Sequence, residues 1–290
     1  MLRYIRVGLR SRELFRNWFS VGLVYLLYRF GILSNSVIKI VLNEGCIVPV
    51  ELDRIGRIIN AYYDGLISNV HCFNNNLYVD FMGLKFRDVF RSMVEVFVNN
   101  EWSFLNVKGR HVIDVGAFNG DSSIYFVISG AEKIIAVEPH PKAYLEMLMN
   151  IKLNNLSDRI VPINVALGKR GFIELPIDIS LDDVIDKIYE RKVYRQSRVV
   201  KVKSIKLSDL LDLINVRTDV LKLDCEGCEF DIIESDYSTI RLFRELGIEF
   251  HLWGRDLREY VEIIKNLSKD FKCRNVKIYT NRVIAYCVHN

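Results

Sequence analysis

The sequence predicts an α/β fold, a mostly parallel sheet with helices on both faces, preceded by a small α+β extension. Three observations predict it. From Arg110 onward, short apolar strand-like runs alternate regularly with helix-like patterns, which is how parallel βα units read in a sequence. Within that alternation, residues 111–139 read as strand, glycine turn, helix and strand, with Glu138 closing the second strand. Half of the 290 residues are hydrophobic, and five prolines, 16 glycines and no low-complexity run leave a chain able to bury a full core.

Three regions follow in order. Residues 1–34 form a helical arm, basic at first and then apolar. Arg3, Arg6, Arg10, Arg12 and Arg16 face one acid, Glu13, in the first 16 residues, and this surplus of +4 equals the net charge of the whole chain. The body is therefore neutral, which argues against a nucleic-acid binder. The apolar part from Trp18 to Tyr28 is too short to span a bilayer and is followed by Arg29. No small-residue cleavage site follows it, so it does not read as a secretory signal. Two readings stand: an amphipathic helix packed on the catalytic domain, or a peripheral contact with a membrane surface through arginines and aromatics. The expected compartment is the cytoplasm, with the protein free or membrane-associated.

Residues 35–100 read as an accessory region. Val37–Leu42 is strand-like, and Leu52–Tyr63 carries Ile55, Ile58, Ile59 and Tyr62 at helical spacing. Leu77–Phe81 and Leu84–Phe86 flank Met82-Gly83 as a hairpin. Asp88 caps a helix that ends near Asn100.

Residues 101–290 form the main domain. Val112, Ile113 and Val115 make a buried strand broken only by Asp114. Gly116 and Gly120 bracket a tight turn, with Ala117 between them, where backbone can approach a ligand closely. Asn119, Asp121 or Ser122 caps the next helix. Further strands are expected at 134–137, 160–165, 171–175, 199–205, 220–224 and 247–251, with helices at 141–154 and from 207. Residues 176–197 break the pattern; their mixed charges, with Tyr189 and Tyr194, fit a helical lid or a solvated surface helix.

The chemistry collects at the strand exits, where open α/β sheets bind ligands. The Gly-x-Gly-x-x-Gly pattern of a dinucleotide site is missing, since position 118 is Phe. Asp114 and Asp121 would repel a pyrophosphate and suit a ligand with a cationic end, such as the sulfonium of S-adenosylmethionine. Glu138, followed by Pro139, would accept hydrogen bonds from ribose hydroxyls, in either cofactor class. An NAD-dependent oxidoreductase and a non-catalytic Rossmann-like binding protein remain the alternatives. Asp224 ends one strand, with Glu226 on the following turn, and Glu249 and His251 end another. His251 is the candidate general base, because imidazole ordinarily titrates near neutrality. Asp224, Glu226 and Glu249 would orient it or contact substrate; alternatively they would hold a divalent cation. No metal site is predicted.

The six cysteines at 46, 72, 225, 228, 273 and 287 do not form a dense disulfide framework, so they are expected to pack as reduced apolar side chains. Cys225-Glu-Gly-Cys228 lacks the second ligand pair of a structural zinc site.

The stretch from His111 to Pro139 resembles the S-adenosylmethionine motif of class I methyltransferases, and of the FkbM-type family in particular. Asn164-Val-Ala-Leu-Gly168, Leu221-Lys-Leu-Asp-Cys-Glu-Gly-Cys-Glu229 and Ile248-Glu-Phe-His251 resemble that family too. The resemblance implies a Rossmann-like sheet of seven strands and S-adenosylmethionine as cofactor. It places Asn164 and Ala166 beside the adenine and Asp224 near the transferable methyl. No Asp-Pro-Pro-aromatic loop follows the 220–224 strand and no Pro-Cys pair occurs. Elimination and resemblance together point to O-methylation of a hydroxyl on a sugar, glycolipid or small metabolite.

Overall fold

A computed structural model describes residues 2–34, 36–181, 197–214, 217 and 219–290. The chain divides into two units, Met1–Met93 and Val94–Asn290. The expected lid, with Tyr189 and Tyr194, lies almost wholly outside the described residues.

In the first unit the arm is two helices rather than one. α1 (Leu2–Arg10) and α2 (Trp18–Arg29) are joined through a 3-10 turn at Ser11–Glu13. They pack through facing glycines: a Cβ on Gly22 would stand 3.0 Å from the Gly8 carbonyl oxygen. β1 (Val37–Val41) and β2 (Ile47–Glu51) form a hairpin, and α3 (Leu52–Tyr63) follows directly. Ile55, Ile58 and Ile59 are buried on α3, as its periodicity predicts, with Leu52 buried beside them and Tyr62 half-buried. β3 (Ile67–Phe73), β4 (Asn76–Phe81) and β5 (Leu84–Phe86) form an antiparallel sheet, with Met82 and Gly83 turning at positive φ. The arm and the hairpin region thus fold as one unit. The helix expected from Asp88 is shorter, a turn at Arg91–Met93 continuing as a π-helical turn at Val94–Val98 across the unit boundary.

The second unit is built on a seven-stranded sheet. β6 (His111–Val115), β7 (Lys133–Val137), β8 (Ile160–Ile163), β12 (Val220–Leu223) and β13 (Glu245–His251) are parallel, in the order β8-β7-β6-β12-β13. β15 (Arg282–His289) pairs antiparallel with β13, and β14 (Phe271–Ile278) pairs antiparallel with β15 at the edge. β9 (Ala166–Leu167), β10 (Gly171–Pro176) and β11 (Val199–Ile205) form a separate three-stranded sheet. Its helices among the described residues include α4 (Asp121–Ile128), α5 (Pro141–Leu153), α6 (Leu207–Leu213), α7 (Cys228–Ser235), the single turn α8 (Tyr237–Ile240) and α9 (Leu257–Leu267).

Strand periodicity sorts the central strands into two chemistries. Ile113, Val115, Leu221, Leu223, Leu246, Ile248 and Phe250 point to one face and join a single apolar cluster. The alternate positions carry Asp114, Lys222, Asp224, Gly247, Glu249 and His251 on the other face. All seven residues of β13 are buried, so its charged members must find partners inside the fold.

The cysteines correct the expectation of reduced, separate side chains. They pair as Cys46–Cys72, Cys225–Cys228 and Cys273–Cys287. The last pair sits directly across the β14–β15 ladder, a register the chain spacing does not disclose.

Candidate active site

The glycine turn after β6 is fixed by the chain itself. Gly116 and Ala117 both donate their N–H groups to the Val137 carbonyl, at 2.9 and 3.1 Å. Gly116 has φ +78°, and a Cβ there would fall 1.7 Å from the Asp224 carbonyl oxygen. Only glycine lets this loop lie against the exit of β12, so the glycine turn and the Asp224 turn are contiguous. Gly120, at φ +87°, precedes α4 and lies against Met147.

Asp114 is fully buried and engaged within the chain. It accepts the Ser122 and Ser123 hydroxyls at 2.7 and 2.6 Å and pairs with Lys222 Nζ at 2.9 Å. Register explains the pair: Asp114 and Lys222 are neighbours across β6 and β12. Lys222 also donates to the Gly116 carbonyl at 2.9 Å, lies 3.5 Å from Asp224 and approaches the Trp102 ring. Burial alone would strip its proton, but Asp114 and Asp224 outweigh that and raise its pKa. Asp114 is therefore engaged by Lys222 and two serines inside the chain. A lysine inside Val220-Leu-Lys-Leu223 was the available signal for Lys222.

Glu138 ends β7 in a different state. Its oxygens accept backbone N–H groups from Phe118 and His140 at 2.8 and 2.7 Å. Burial still pushes its pKa up to about 7. A carboxylate can accept about four hydrogen bonds, so it retains capacity for a ligand's hydroxyls. Asn119 is fully buried; its Oδ1 accepts the Asp121 N–H, and its Nδ2 has no hydrogen-bond partner among the described residues. Asp121 accepts the Ser122 N–H. Asn164 donates to the Glu138 and Pro139 carbonyls, holding the loop after β7 rather than reaching outward. Ala166 is buried on β9, paired in register with Ser204.

The second half of the site surrounds His251. Its Nδ1 lies 2.9 Å from Oε1 of Glu229, which is completely buried. Its Nε2 faces Glu226 at 3.3 Å and Glu249 at 3.4 Å. Arg282 donates to Glu249 at 2.7 Å and reaches Glu95 at 3.5 Å. Burial disfavours the His251 cation, yet the hydrogen bonds to Glu229 and Glu249 and the charge of Glu226 push its pKa up to about 12. These carboxyls favour the protonated ring, which weighs against reading His251 as a ready base. Burial raises the Glu226 and Glu101 carboxyls to about 8 and also raises Glu249.

Glu226 sits on the turn at φ +57°, and Gly227 follows at φ +107°. The Cys225–Cys228 disulfide brackets both, while the N–H groups of Cys225 and Gly227 donate to the same Glu229 oxygen that holds His251. Asp224, Glu249 and His251 each offer one donor atom within 4.8 Å of the others, so this trio is where a metal could be held. The structure therefore brings all four expected residues, Asp224, Glu226, Glu249 and His251, together at the adjoining ends of β12 and β13. It adds Glu95, Glu101, Lys222, Glu229 and Arg282. Arg282 lies directly opposite His251 in the β13–β15 ladder, and no short motif announces such a pairing.

The family pattern described as "Methyltransferase FkbM domain" matches residues 114–273, more than half of the chain. The chain belongs to that family. This FkbM-family chain is also 39% identical over 76 residues to the ribosomal protein L11 methyltransferase of Geobacter sp. (strain M21), covering 26% of this chain and 25% of that protein. It is 24% identical over 156 residues to uncharacterized protein 158B of Sulfolobus islandicus rod-shaped virus 1, covering 52% of this chain and 67% of that one. The chain thus spans about a quarter of the length of the first of these curated relatives. Among solved structures, the M. jannaschii tRNA m1G37 methyltransferase aligns at 14% identity and a TM-score of 0.45, over 93% of this chain and 68% of that one.

Proposed function

We propose that the chain is an S-adenosylmethionine-dependent methyltransferase that methylates a hydroxyl on a sugar, glycolipid or small metabolite. One juxtaposition carries the reading. The Asp224–Glu226 turn, which holds a carboxyl raised to about 8, abuts the glycine turn that leads to Glu138. The cofactor fits the residues present: Glu138 has acceptor capacity for a ribose diol, and Asn119 Nδ2 is a buried donor lacking a partner among the described residues. When bound, S-adenosylmethionine supplies an electrophilic methyl on a sulfonium.

The residues of this chain then position the acceptor and take its proton. Asp224, a quarter exposed, presents a carboxylate to the acceptor hydroxyl. Glu226 serves as the general base in place of His251, since a base works best with a pKa near the working pH. His251, held charged by Glu229 and Glu249, stabilises Glu226 as it ionises and reprotonates. Holding nucleophile and methyl in line lowers the barrier by positioning.

Calorimetry with S-adenosylmethionine and with NAD tests the cofactor. Binding of the first at micromolar concentration is expected, whereas binding of NAD alone removes the proposal. The acceptor is tested by transfer of labelled methyl to a fractionated extract. The curated relative is named for a ribosomal protein and the solved structure for tRNA, so protein and RNA fractions belong beside the sugar and lipid fractions. Label confined to protein or RNA leaves methyl transfer standing and overturns the hydroxyl acceptor.

Glu138→Gln is expected to weaken S-adenosylmethionine binding about tenfold, the loss of charge-assisted hydrogen bonds to the ribose. Ribose hydroxyls favour the ionised acid, so binding releases a proton. Wild-type affinity should rise as pH rises toward about 7 and level off above it, while the variant stays flat. In the free protein the sign is opposite. The raised carboxyl stabilises the fold below its ordinary pKa, and that contribution fades as pH climbs through about 7. Calorimetry at several pH values reads the first effect and denaturation the second.

A further inference from the structure

α2 is apolar on two sides. Val21, Gly22 and Tyr25 are buried, with Gly22 against Gly8 of α1 and the Tyr25 ring against Gly56 of α3. Phe19 and Leu23 on the helix and Phe30 at its C-cap, at i, i+4 and i+11, form a second stripe and are 69%, 48% and 51% exposed. Ile32, just beyond the helix, is 67% exposed and extends the stripe. On the neighbouring α1, Leu9 is 54% exposed while Val7 and Gly8 are buried. Packing of the first unit uses the inner side of both helices and leaves the outer apolar side uncovered. A stripe of large apolar side chains on a surface helix marks an interaction site rather than a solvated face.

Charge decides the occupant. Residues 1–34 hold six arginines and a single acid, Glu13, and Arg6 and Arg12, on either side of Leu9 in the chain, are exposed. We propose that the α1–α2 hairpin of the first unit docks this face on an anionic lipid bilayer, with Phe19, Leu23 and Phe30 entering the interface and Arg6 and Arg12 meeting the headgroups. An amphipathic element of this kind lies in the interfacial plane, and basic residues draw it to anionic lipid over about a Debye length. No helix among the described residues is long and apolar enough to cross a membrane, and α2 has only 12 residues. A second copy on the same face would bring two surplus-positive arms together without an opposing charge.

The test is flotation of the full chain with vesicles of 70% phosphatidylcholine and 30% phosphatidylglycerol, against pure phosphatidylcholine. No methyl donor is needed, so the outcome is separate from that of the proposed activity. At least tenfold stronger binding to the anionic vesicles is expected, weakening with salt. The double variant Phe19→Ser/Leu23→Ser should lose tenfold or more, and Arg6→Gln/Arg12→Gln should lose several-fold together with the preference for anionic lipid. These outward-facing changes should leave the circular dichroism and urea midpoint as in the wild type. Wild-type protein that stays with the unbound fraction overturns the docking. So does equal binding by either double variant, and so does a wild-type dimer that Phe19→Ser/Leu23→Ser converts to monomer.

Discussion

Lys222→Met destabilises the second unit by about 3–5 kcal/mol, the cost of leaving one member of a buried ion pair unpaired. The methionine keeps an unbranched apolar stem and lacks only the terminal ammonium, so the loss reports the charge. Asp114 then stays buried with two serine hydroxyls as its remaining side-chain partners among the described residues, and the Gly116 carbonyl loses the Lys222 donor. Urea denaturation read by tryptophan fluorescence measures the change, since Trp102 packs beside Lys222. Adding Asp114→Asn to Lys222→Met should recover part of the loss, because a neutral side chain no longer carries the buried charge. A single-variant loss below about 1 kcal/mol, the value of an exposed pair, removes the central role given to this ion pair.

Glu226→Gln lowers turnover by about 10²–10⁴, the usual contribution of a general base, with S-adenosylmethionine affinity unchanged. A base must be ionised, so wild-type turnover should rise with pH through about 8 and flatten above it. The glutamine variant should lack that ascending limb. Glu101, also raised to about 8, is the internal control: Glu101→Gln should keep the limb if Glu226 produces it. A limb near 6.5 that vanishes in His251→Gln restores the histidine as base. Initial rates over pH 6–10 with labelled donor separate these results.

The two substitutions probe different layers of one arrangement. Lys222 holds the sheet exits together from beneath, joining Asp114 to Asp224 through the floor of the glycine turn. Glu226 stands on that floor, on a turn closed by Cys225–Cys228 and aimed by Glu229. Removing the first should loosen the fold. Removing the second should leave the fold and stop the chemistry.

Much of this was legible in the sequence where the cause is local. Alternating strand and helix patterns gave the parallel sheet, because period and burial are written in adjacent residues. The placement of Asp224, Glu249 and His251 at strand exits followed from strand ends, and the glycine turn from Gly116 and Gly120. What stayed hidden depends on neighbours distant in the chain. Asp114 meets Lys222 across 108 residues through sheet register, and that meeting forms an internal ion pair. The carboxyls that favour a protonated His251 were hidden too, because Glu229, Glu226 and Glu249 converge on it from α7, a turn and its own strand. Cys273 and Cys287 paired for the same reason, since only the folded ladder sets them opposite each other. Sequence determined which groups reach the crevice, for strand direction and turn chemistry are local. Tertiary structure decided their charge and their partners, for electrostatic energy depends on distance through space and on burial, neither of which follows chain order.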